Sequence, residues 1–248
     1  MHNSEGNELP LLFGIRPLME AIEAGKNFDK IYLKKGERSD SFRELMQMIK
    51  KHDLFFQTVP EEKLNRLTRK NHQGVVAFLT HVEYQRIEQV LPAIYESGEE
   101  PLIVLLDRIT DVRNFGAIAR SAECMGAHAL VVPMRGMAPA SGDAIKASAG
   151  SLMRIPVCRE SQLKESIQLM KDSGLKIVSC TEKGEDSLFE TDLSGPVCLI
   201  MGSEEDGVSG EYLKRSDHRC FIPMSGHTSS LNVSVASGIF LAEVCRNR

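Results

Sequence analysis

The chain has 248 residues, enough for one large domain or two smaller ones, and 42% of them are hydrophobic, which suffices for a sizeable core. No apolar run approaches the roughly 18 residues that span a bilayer. The first ten residues lack the basic and apolar regions of a signal peptide, so we expect a cytoplasmic protein without a membrane partner.

The net charge of −4 is unevenly distributed along the chain. Residues 11–81 carry 13 Lys and Arg against 9 Asp and Glu, whereas residues 82–248 carry 17 against 23. A basic front and an acidic back suggest that the front binds a polyanion. Ordinary scatter of surface charge would give similar counts, so charge alone leaves both interpretations open.

Residues 11–81 predict a small α/β unit. Apolar residues recur there at helical spacing in three segments, and short β-branched or leucine-rich runs alternate with them. The predicted helices cover 14–24, 41–51 and 61–69, and the predicted strands cover 30–33, 54–59 and 74–79. Alternation within so short a stretch predicts a compact sandwich.

Residues 82–100 contain few turn formers before Ser97, and a helix predicted over 85–95 is interpreted as part of a linker between two domains. A second series of elements follows it. The predicted strands cover 102–106, 129–132, 176–179, 197–200 and 220–222, and the predicted helices cover 114–126, 143–150, 161–173, 209–215 and 232–246. Near-continuous apolar strands that alternate with helices predict a parallel sheet with both faces covered.

The six cysteines form no CxxC pair and lie mostly in apolar strand or helix patterns. Buried free thiols are therefore expected, rather than a zinc site or a disulfide framework. The chain also lacks an HExxH motif, a P-loop, and a GxGxxG after the first strand of either predicted domain. We therefore expect no metal site, no P-loop nucleotide site and no Rossmann-type cofactor site.

Three segments rich in Gly, Asn and Ser each follow an apolar run and lead into a predicted helix. They span residues 111–120, 200–209 and 222–238. The carboxyl ends of parallel strands meet at one edge of a sheet, so we expect the three segments to build one pocket.

Residues in these segments also have ordinary structural interpretations. Asn114 is placed to cap a helix that begins directly after it, and either Ser230 or Asn232 can cap the last helix. Arg120 lies among small and apolar residues. Its guanidinium would hold a phosphate, stabilise an oxyanion, or form a structural ion pair with Glu204.

Taken in order, the segments resemble the three motifs of the SpoU (TrmH-like) family of RNA ribose 2′-O-methyltransferases. The matching patterns are N-x-G-x-x-x-R at 114–120, G-S-E-x-x-G at 202–207 and I-P-M…S-L-N-V-S-V-A at 222–236. Residues 146–150 resemble a further family segment, and residues 13–21 resemble the start of the family's ribosomal-protein-like substrate-binding domain. The resemblance covers nearly the whole chain and favours the members that methylate a guanosine of 23S rRNA. Departures from the family pattern are Ser203, where Asn is common, and Ser151, where Ala is common.

The resemblance implies an α/β protein with a ribosomal-protein-like RNA substrate-binding domain over 11–81. A linker over 82–100 and a parallel-sheet methyltransferase domain over 101–248 would follow. The carboxyl end of that sheet would be threaded into a trefoil knot, which topological rules alone would not predict. The resemblance further implies S-adenosylmethionine as cofactor, no metal, and a homodimer with each active site near the subunit interface.

The resemblance also nominates residues for methyl transfer to a ribose 2′-hydroxyl. A guanidinium cannot readily serve as a base, so we interpret Arg120 as a clamp for an oxyanion or a phosphate. Glu204 would orient Arg120 or bind near the cofactor. The residues expected to position the ribose and the methionine part of the cofactor are Asn114, Ser230 and Asn232. The predicted cofactor-binding residues are Thr181, Gly202, Ile222, Met224 and Leu231, and the predicted RNA-binding residues are Arg16, Lys34, Lys35, Arg66, Arg69, Lys70 and Arg113.

Two other functions stay open at this point. A tRNA ribose 2′-O-methyltransferase would share the catalytic motifs, although the ribosomal-protein-like front opposes this interpretation. A non-catalytic RNA-binding ribosome-assembly factor would keep the fold, but its motif residues would be expected to have degenerated, and here they are intact.

Overall fold

The computed structural model describes residues 10–228 and 230–248, and it divides into two compact units. The first unit ends at Val82 and includes Ala140–Gly142. The second comprises Glu83–Pro139 and Asp143–Arg248. Among the described residues, no helix is both long enough and apolar enough to cross a membrane.

The first unit contains a four-stranded sheet with helices on both faces. Its strands are β1 (Leu11–Phe13), β2 (Asn27–Lys34), β3 (Gln57–Val59) and β4 (Val75–Thr80), in the order β1-β4-β2-β3. Its helices are α1 (Ile15–Glu23), α2 (Asp40–Lys51) and α3 (Glu61–Leu67). Strand β4 runs antiparallel to both neighbours, and β3 runs parallel to β2.

Helical spacing of apolar residues decides which helix faces the first unit buries. Leu18 and Ile22 of α1 and Leu45 and Ile49 of α2 are almost fully buried in one core with Ile31 of β2. Within each helix the two residues are four positions apart, which brings both side chains to the same face of that helix. A smaller cluster covers the opposite face of the sheet. The sequence patterns thus identified the helices of this unit, but they missed the short edge strand β1.

The second unit is built on an eight-stranded sheet in which every strand pair is parallel. The strand order is β10-β12-β9-β11-β6-β7-β8-β5. The strands are β5 (Tyr84–Gln85), β6 (Leu102–Leu106), β7 (Ala129–Pro133), β8 (Val157–Glu160), β9 (Lys176–Cys180), β10 (Asp186–Ser187), β11 (Val197–Met201) and β12 (His218–Phe221). The predicted fold class, α/β with a parallel sheet, is confirmed; the trefoil knot stays a prediction of the family resemblance.

Helices cover both faces of this sheet. The helices that follow β5 in the chain are α4 (Ile87–Glu96), α5 (Val112–Cys124), α6 (Gly142–Ala147), α7 (Leu163–Asp172), α8 (Gly210–Leu213) and α9 (Val233–Asn247). Two short 3₁₀ turns cover Ser151–Met153 and Leu188–Glu190. Ile103 and Leu105 of β6 share a core with α4 and α7, while α9 packs on β9 and β11 and against α5. Strand residues point alternately to the two faces, so a strand covered on both sides must be apolar throughout, as β6 is.

The segment interpreted as a linker over 82–100 is folded into the second unit. Strand β5 pairs with β8, and the apolar face of α4 contributes to the core of the parallel sheet. The buried residues of that face are Ile87, Val90, Leu91 and Ile94. Its helical periodicity was visible in the sequence, but the surface against which it packs was not.

Four cysteines are buried and two are exposed. The buried ones are Cys158, Cys180, Cys198 and Cys220, and the exposed ones are Cys124 and Cys245. The expectation of buried thiols thus holds for the strand cysteines and is wrong for the two on helices α5 and α9.

Candidate active site at the carboxyl ends of the strands

A cleft of about 610 Å³ opens in the second unit where β9, β11 and β12 end and α9 begins. Its lining includes all five predicted cofactor-binding residues, namely Thr181, Gly202, Ile222, Met224 and Leu231. It also includes three of the predicted catalytic residues, namely Glu204, Ser230 and Asn232. The second and third Gly-rich segments therefore meet in one pocket.

Residues 202–207, which we call the GSEEDG loop, fold back directly after β11. Ser203 and Gly207 form a backbone bridge with N–H···O distances of 3.1 and 3.0 Å. A Cβ at Gly202 would lie 2.1 Å from the backbone of Gly207 and Val208, so only glycine permits this close approach. The loop is therefore tight, and it brings Glu204 to the lining of the cleft.

The carboxylate of Glu204 joins the three Gly-rich segments. Its Oε1 accepts hydrogen bonds from Asn114 Nδ2 and Asn232 Nδ2, each at 2.8 Å. Asn232 Nδ2 also donates to Asn114 Oδ1 at 3.1 Å. Hydrogen bonds to an ionised carboxylate are stronger than those between neutral groups. This Asn114–Glu204–Asn232 cluster therefore ties the starts of α5 and α9 to the GSEEDG loop.

Helix α5 begins earlier than the sequence pattern predicted. Its N-cap is Asp111, whose carboxylate accepts a hydrogen bond from Arg113 N at 2.7 Å, so the prediction that Asn114 caps this helix is wrong. The Arg113 guanidinium, 2.9 Å away, and the same backbone N–H lower the pKa of Asp111 to about 2. Asn114 lies in the first turn, where its side chain is free to reach Glu204.

Asn232 has a structural task besides its place in the cluster. Its Oδ1 accepts a hydrogen bond from Ser234 N at 2.9 Å and so caps α9. This decides between the two N-caps that the sequence allowed. Ser230, the other candidate, is exposed in the lining of the cleft.

Arg120 is exposed on α5, and its guanidinium has no hydrogen bond or ion pair within residues 10–228 and 230–248. The structural ion pair with Glu204 that the sequence allowed is not formed there, because Glu204 bonds the two asparagines instead. Glu204 therefore does not orient Arg120 by direct contact, contrary to one of the sequence predictions. The guanidinium is available to a ligand.

The basic side chains predicted to bind RNA are mostly on the first unit. Three of them line a groove of about 640 Å³, namely Lys34, Arg69 and Lys70. Three others are exposed outside that lining, namely Arg16, Lys35 and Arg66. Lys34 pairs with Glu61 at 2.8 Å, and Lys70 Nζ lies 5.4 Å from the ring centre of Phe13. Arg113 belongs to the second unit and is 86% exposed despite its pairing with Asp111.

The sequence analysis missed several residues that line the cleft at the ends of β9, β11 and β12. Glu182 and Lys183 line it directly after Thr181, and Phe240 of α9 lines it as well. The first two follow the end of a parallel strand, a position that could have identified them. Phe240 has only the pattern of a buried helical residue, so its contribution depends on how α9 packs.

Comparison with known proteins identifies the family of the chain. The model of the SpoU rRNA Methylase family matches residues 101–242, and a model described as RNA 2′-O ribose methyltransferase substrate binding matches residues 11–85. A putative TrmH family tRNA/rRNA methyltransferase of Bacillus subtilis is 30% identical over 96% of this chain and 95% of its own length. An uncharacterized tRNA/rRNA methyltransferase of Mycobacterium sp. (strain KMS) is 34% identical over 98% of this chain and 78% of its own.

A solved structure is similar over both units. The crystal structure of the SpoU methyltransferase AviRb from Streptomyces viridochromogenes, in complex with the cofactor AdoMet, has a TM-score of 0.60 and 27% identity. The match covers 95% of this chain and 89% of AviRb. Motifs, fold and relatives coincide, and the chain belongs to the SpoU family of RNA methyltransferases.

Proposed function

We propose that the protein transfers a methyl group from S-adenosylmethionine to a ribose 2′-hydroxyl, and that the target is a guanosine of 23S rRNA. The observation that carries this proposal is the Asn114–Glu204–Asn232 cluster beside a cleft lined by all five predicted cofactor-binding residues. Family membership supplies the reaction class, and the AdoMet complex of AviRb supports the cofactor.

The lining of the cleft suits S-adenosylmethionine, which has an adenosine end, a methionine end and a sulfonium cation between them. Apolar surface for the adenine is offered by Ile222, Met224 and Leu231. Carboxylates that attract a cation are contributed by Glu182, Glu204 and Glu205. When bound, the cofactor supplies a methyl group that the positive sulfur makes electrophilic. Ser230, which lies in the same lining, would bind the methionine end.

The protein's own side chains would prepare the ribose. A hydroxyl is a weak nucleophile until its proton leaves, and a guanidinium cannot readily take that proton. We therefore assign Arg120 to stabilise the developing oxyanion or to hold an adjacent phosphate, which lowers the pKa of the hydroxyl. Asn114 Nδ2 carries two hydrogens and donates one bond within the described part of the chain. Its second N–H would orient the ribose.

The first unit would hold the RNA through its basic side chains. Phosphate contacts of this kind make binding fall steeply with salt. The match of this unit to a substrate-binding family supports that assignment. For the homodimer, support comes from exposed apolar side chains at the start of α9: Leu231 is 39% exposed and Val235 is 52% exposed. A partner subunit that covers them would also complete the rim of the active site.

The substrate is tested by methyl transfer from labelled S-adenosylmethionine to separated tRNA and 23S rRNA from a strain that lacks this gene. We expect label in 23S rRNA on a guanosine ribose that resists alkaline cleavage. Label in tRNA would support ribose methylation but would show that 23S rRNA is not the substrate. Both RNA classes appear in the names of the relatives. Bound cofactor without label in either RNA would point to a ribosomal assembly intermediate as the substrate, or to a non-catalytic assembly factor.

The role of Arg120 is tested with Arg120→Ala. We expect methyl transfer to be lost while calorimetry still detects cofactor binding, because the guanidinium acts on the hydroxyl and not on the cofactor. Arg215→Ala is the matched control: Arg215 pairs with Glu211 just before β12 begins, at the edge of the sheet opposite the cleft. Normal methylation by Arg120→Ala would show that the assignment is wrong.

A further inference from the structure

Arg108 has an unusual backbone for its residue type. It follows β6 after a single residue and adopts a φ of +61°, in the left-handed region that residues with a side chain seldom occupy. Such a conformation persists only where the surroundings over-determine it, and these places cluster at functional sites. No sequence motif had singled out this position.

The Arg108 guanidinium is held on three sides. Nη1 donates to Asp206 Oδ2 at 3.0 Å, and Nη2 donates to the carbonyl oxygen of Gly207 at 3.2 Å. Nε donates to Asp107 Oδ1 at 3.1 Å. The hydrogen bonds to Asp107 are the main reason that the pKa of Arg108 is raised, so the side chain stays charged throughout the working pH range. Two of its three partners belong to the GSEEDG loop.

Asp107 holds the chain just after the same loop, at Ser209. It is only 2% exposed, and its Oδ2 accepts hydrogen bonds from Ser209 N at 2.7 Å and from Ser209 Oγ. Strands β6 and β11 are parallel neighbours, so Asp107 and Arg108 leave the sheet next to the loop that they hold. The end of the loop and the residue two positions after it are thereby held from one strand terminus.

We propose that Arg108 is a positioning residue that holds the GSEEDG loop through Asp206 and Gly207, so that Glu204 keeps both asparagines in place. Arg108 and Asn114 also both line a smaller cleft of about 250 Å³, whose lining includes Ser203 to Asp206 of the loop. The inference rests on the proposed function, because it assigns Arg108 an effect on methyl transfer. An effect exerted through Glu204 changes the rate of transfer and leaves the affinity for RNA largely unchanged.

The variant Arg108→Asn tests the hydrogen bonds of the guanidinium separately from the left-handed backbone conformation at this position. Asparagine tolerates a left-handed backbone better than most residues, so this change removes the guanidinium without adding strain. With 23S rRNA from the deletion strain as substrate, we expect kcat to fall about 10- to 100-fold, because small misplacements of positioning groups have effects of that size. The KM for RNA should change little. Arg215→Asn is the matched control and should behave as the wild type.

Two more variants test the coupling. Arg108→Lys should recover part of the lost kcat, since a point charge can meet Asp206 but cannot fork to the Gly207 carbonyl. Asp206→Asn should lower kcat through the same contact, and adding it to Arg108→Asn should cost no more than the larger single loss.

The outcomes separate this inference from the proposed function. Wild-type kcat in Arg108→Asn, or losses that multiply in the double variant, would overturn the positioning role alone. If Arg108→Asn lowered the Tm but left the kcat of the folded protein unchanged, Arg108 would stabilise the fold without positioning the site, and the proposal would be wrong. A wild-type protein that methylates no RNA would refute the proposed function, and the inference with it.

Discussion

Asn232 caps α9 and also belongs to the Asn114–Glu204–Asn232 cluster, and two substitutions distinguish these two roles. Asn232→Ala removes the N-cap bond to Ser234 and both contacts of Nδ2. Loss of an N-cap costs about 1 kcal/mol, which for a chain of this size lowers the Tm by roughly 2–4 °C. Asn232→Asp keeps the cap, because Asp and Asn cap equally well and a negative charge suits a helix N-terminus.

The Asp variant nevertheless places a second carboxylate against Glu204, which Asn232 Nδ2 contacts at 2.8 Å. Two like charges at about 4 Å repel by roughly 1 kcal/mol in water and by more where water is excluded. At neutral pH the cap gain and the repulsion oppose each other, so we expect little change in Tm.

Methyl-transfer kinetics and thermal melts on the same preparations test this reasoning. Both variants should lose at least about tenfold in kcat, since each loses the amide donor that orders the cluster, whereas only Asn232→Ala should lose the cap. Ser234→Ala is the control: it deletes a neighbouring hydroxyl and keeps the backbone N–H that Asn232 caps. Full transfer activity in Asn232→Asp would refute the view that the amide N–H groups matter.

Two further predictions follow from packing and burial. Gly202→Ala should abolish cofactor binding in calorimetry, because the new methyl group would lie 2.1 Å from the backbone of Gly207 and force the GSEEDG loop open; undiminished binding would contradict the cleft assignment. In the native protein only Cys124 and Cys245 should react quickly with an aromatic disulfide reagent at pH 8, and all six cysteines should react after unfolding. Burial raises the pKa of the Cys158 thiol to about 12, so a fast native reaction of that thiol would show that the sheet opens.

Local sequence patterns predicted much of the architecture. The run Leu102–Leu106 is apolar throughout, as a strand covered on both faces must be, and it forms the central strand β6. The Gly-rich segments at 200–209 and 222–238 were expected at the strand ends, and both contribute to the large cleft. These predictions succeeded because strand and helix periodicity are properties of neighbouring residues.

Other predictions failed where a residue's partner is distant in the chain. Asn114 is a residue type that commonly caps helices, but Asp111 occupies the N-cap position of α5. The side chain of Asn114 instead donates a hydrogen bond to Glu204, 90 residues away in the chain. The helix predicted as a linker has an apolar face, and a face alone does not say which unit it joins. Arg120 and Glu204 have opposite charges but form no ion pair in the described residues. Glu204 accepts hydrogen bonds from two asparagines, and Arg120 is exposed.

The sequence by itself determined the helices, most strands and the parallel sheet, since these depend on composition and periodicity over short distances, and its three motifs carried the resemblance to the SpoU family. Only the tertiary structure decided which polar groups bond each other. It paired Glu204 with two asparagines at the starts of α5 and α9, and it placed Arg108, which follows β6, against Asp206, which follows β11. The physical reason is that a hydrogen bond requires its two groups to lie within about 3 Å, and only the packing of distant segments sets that distance.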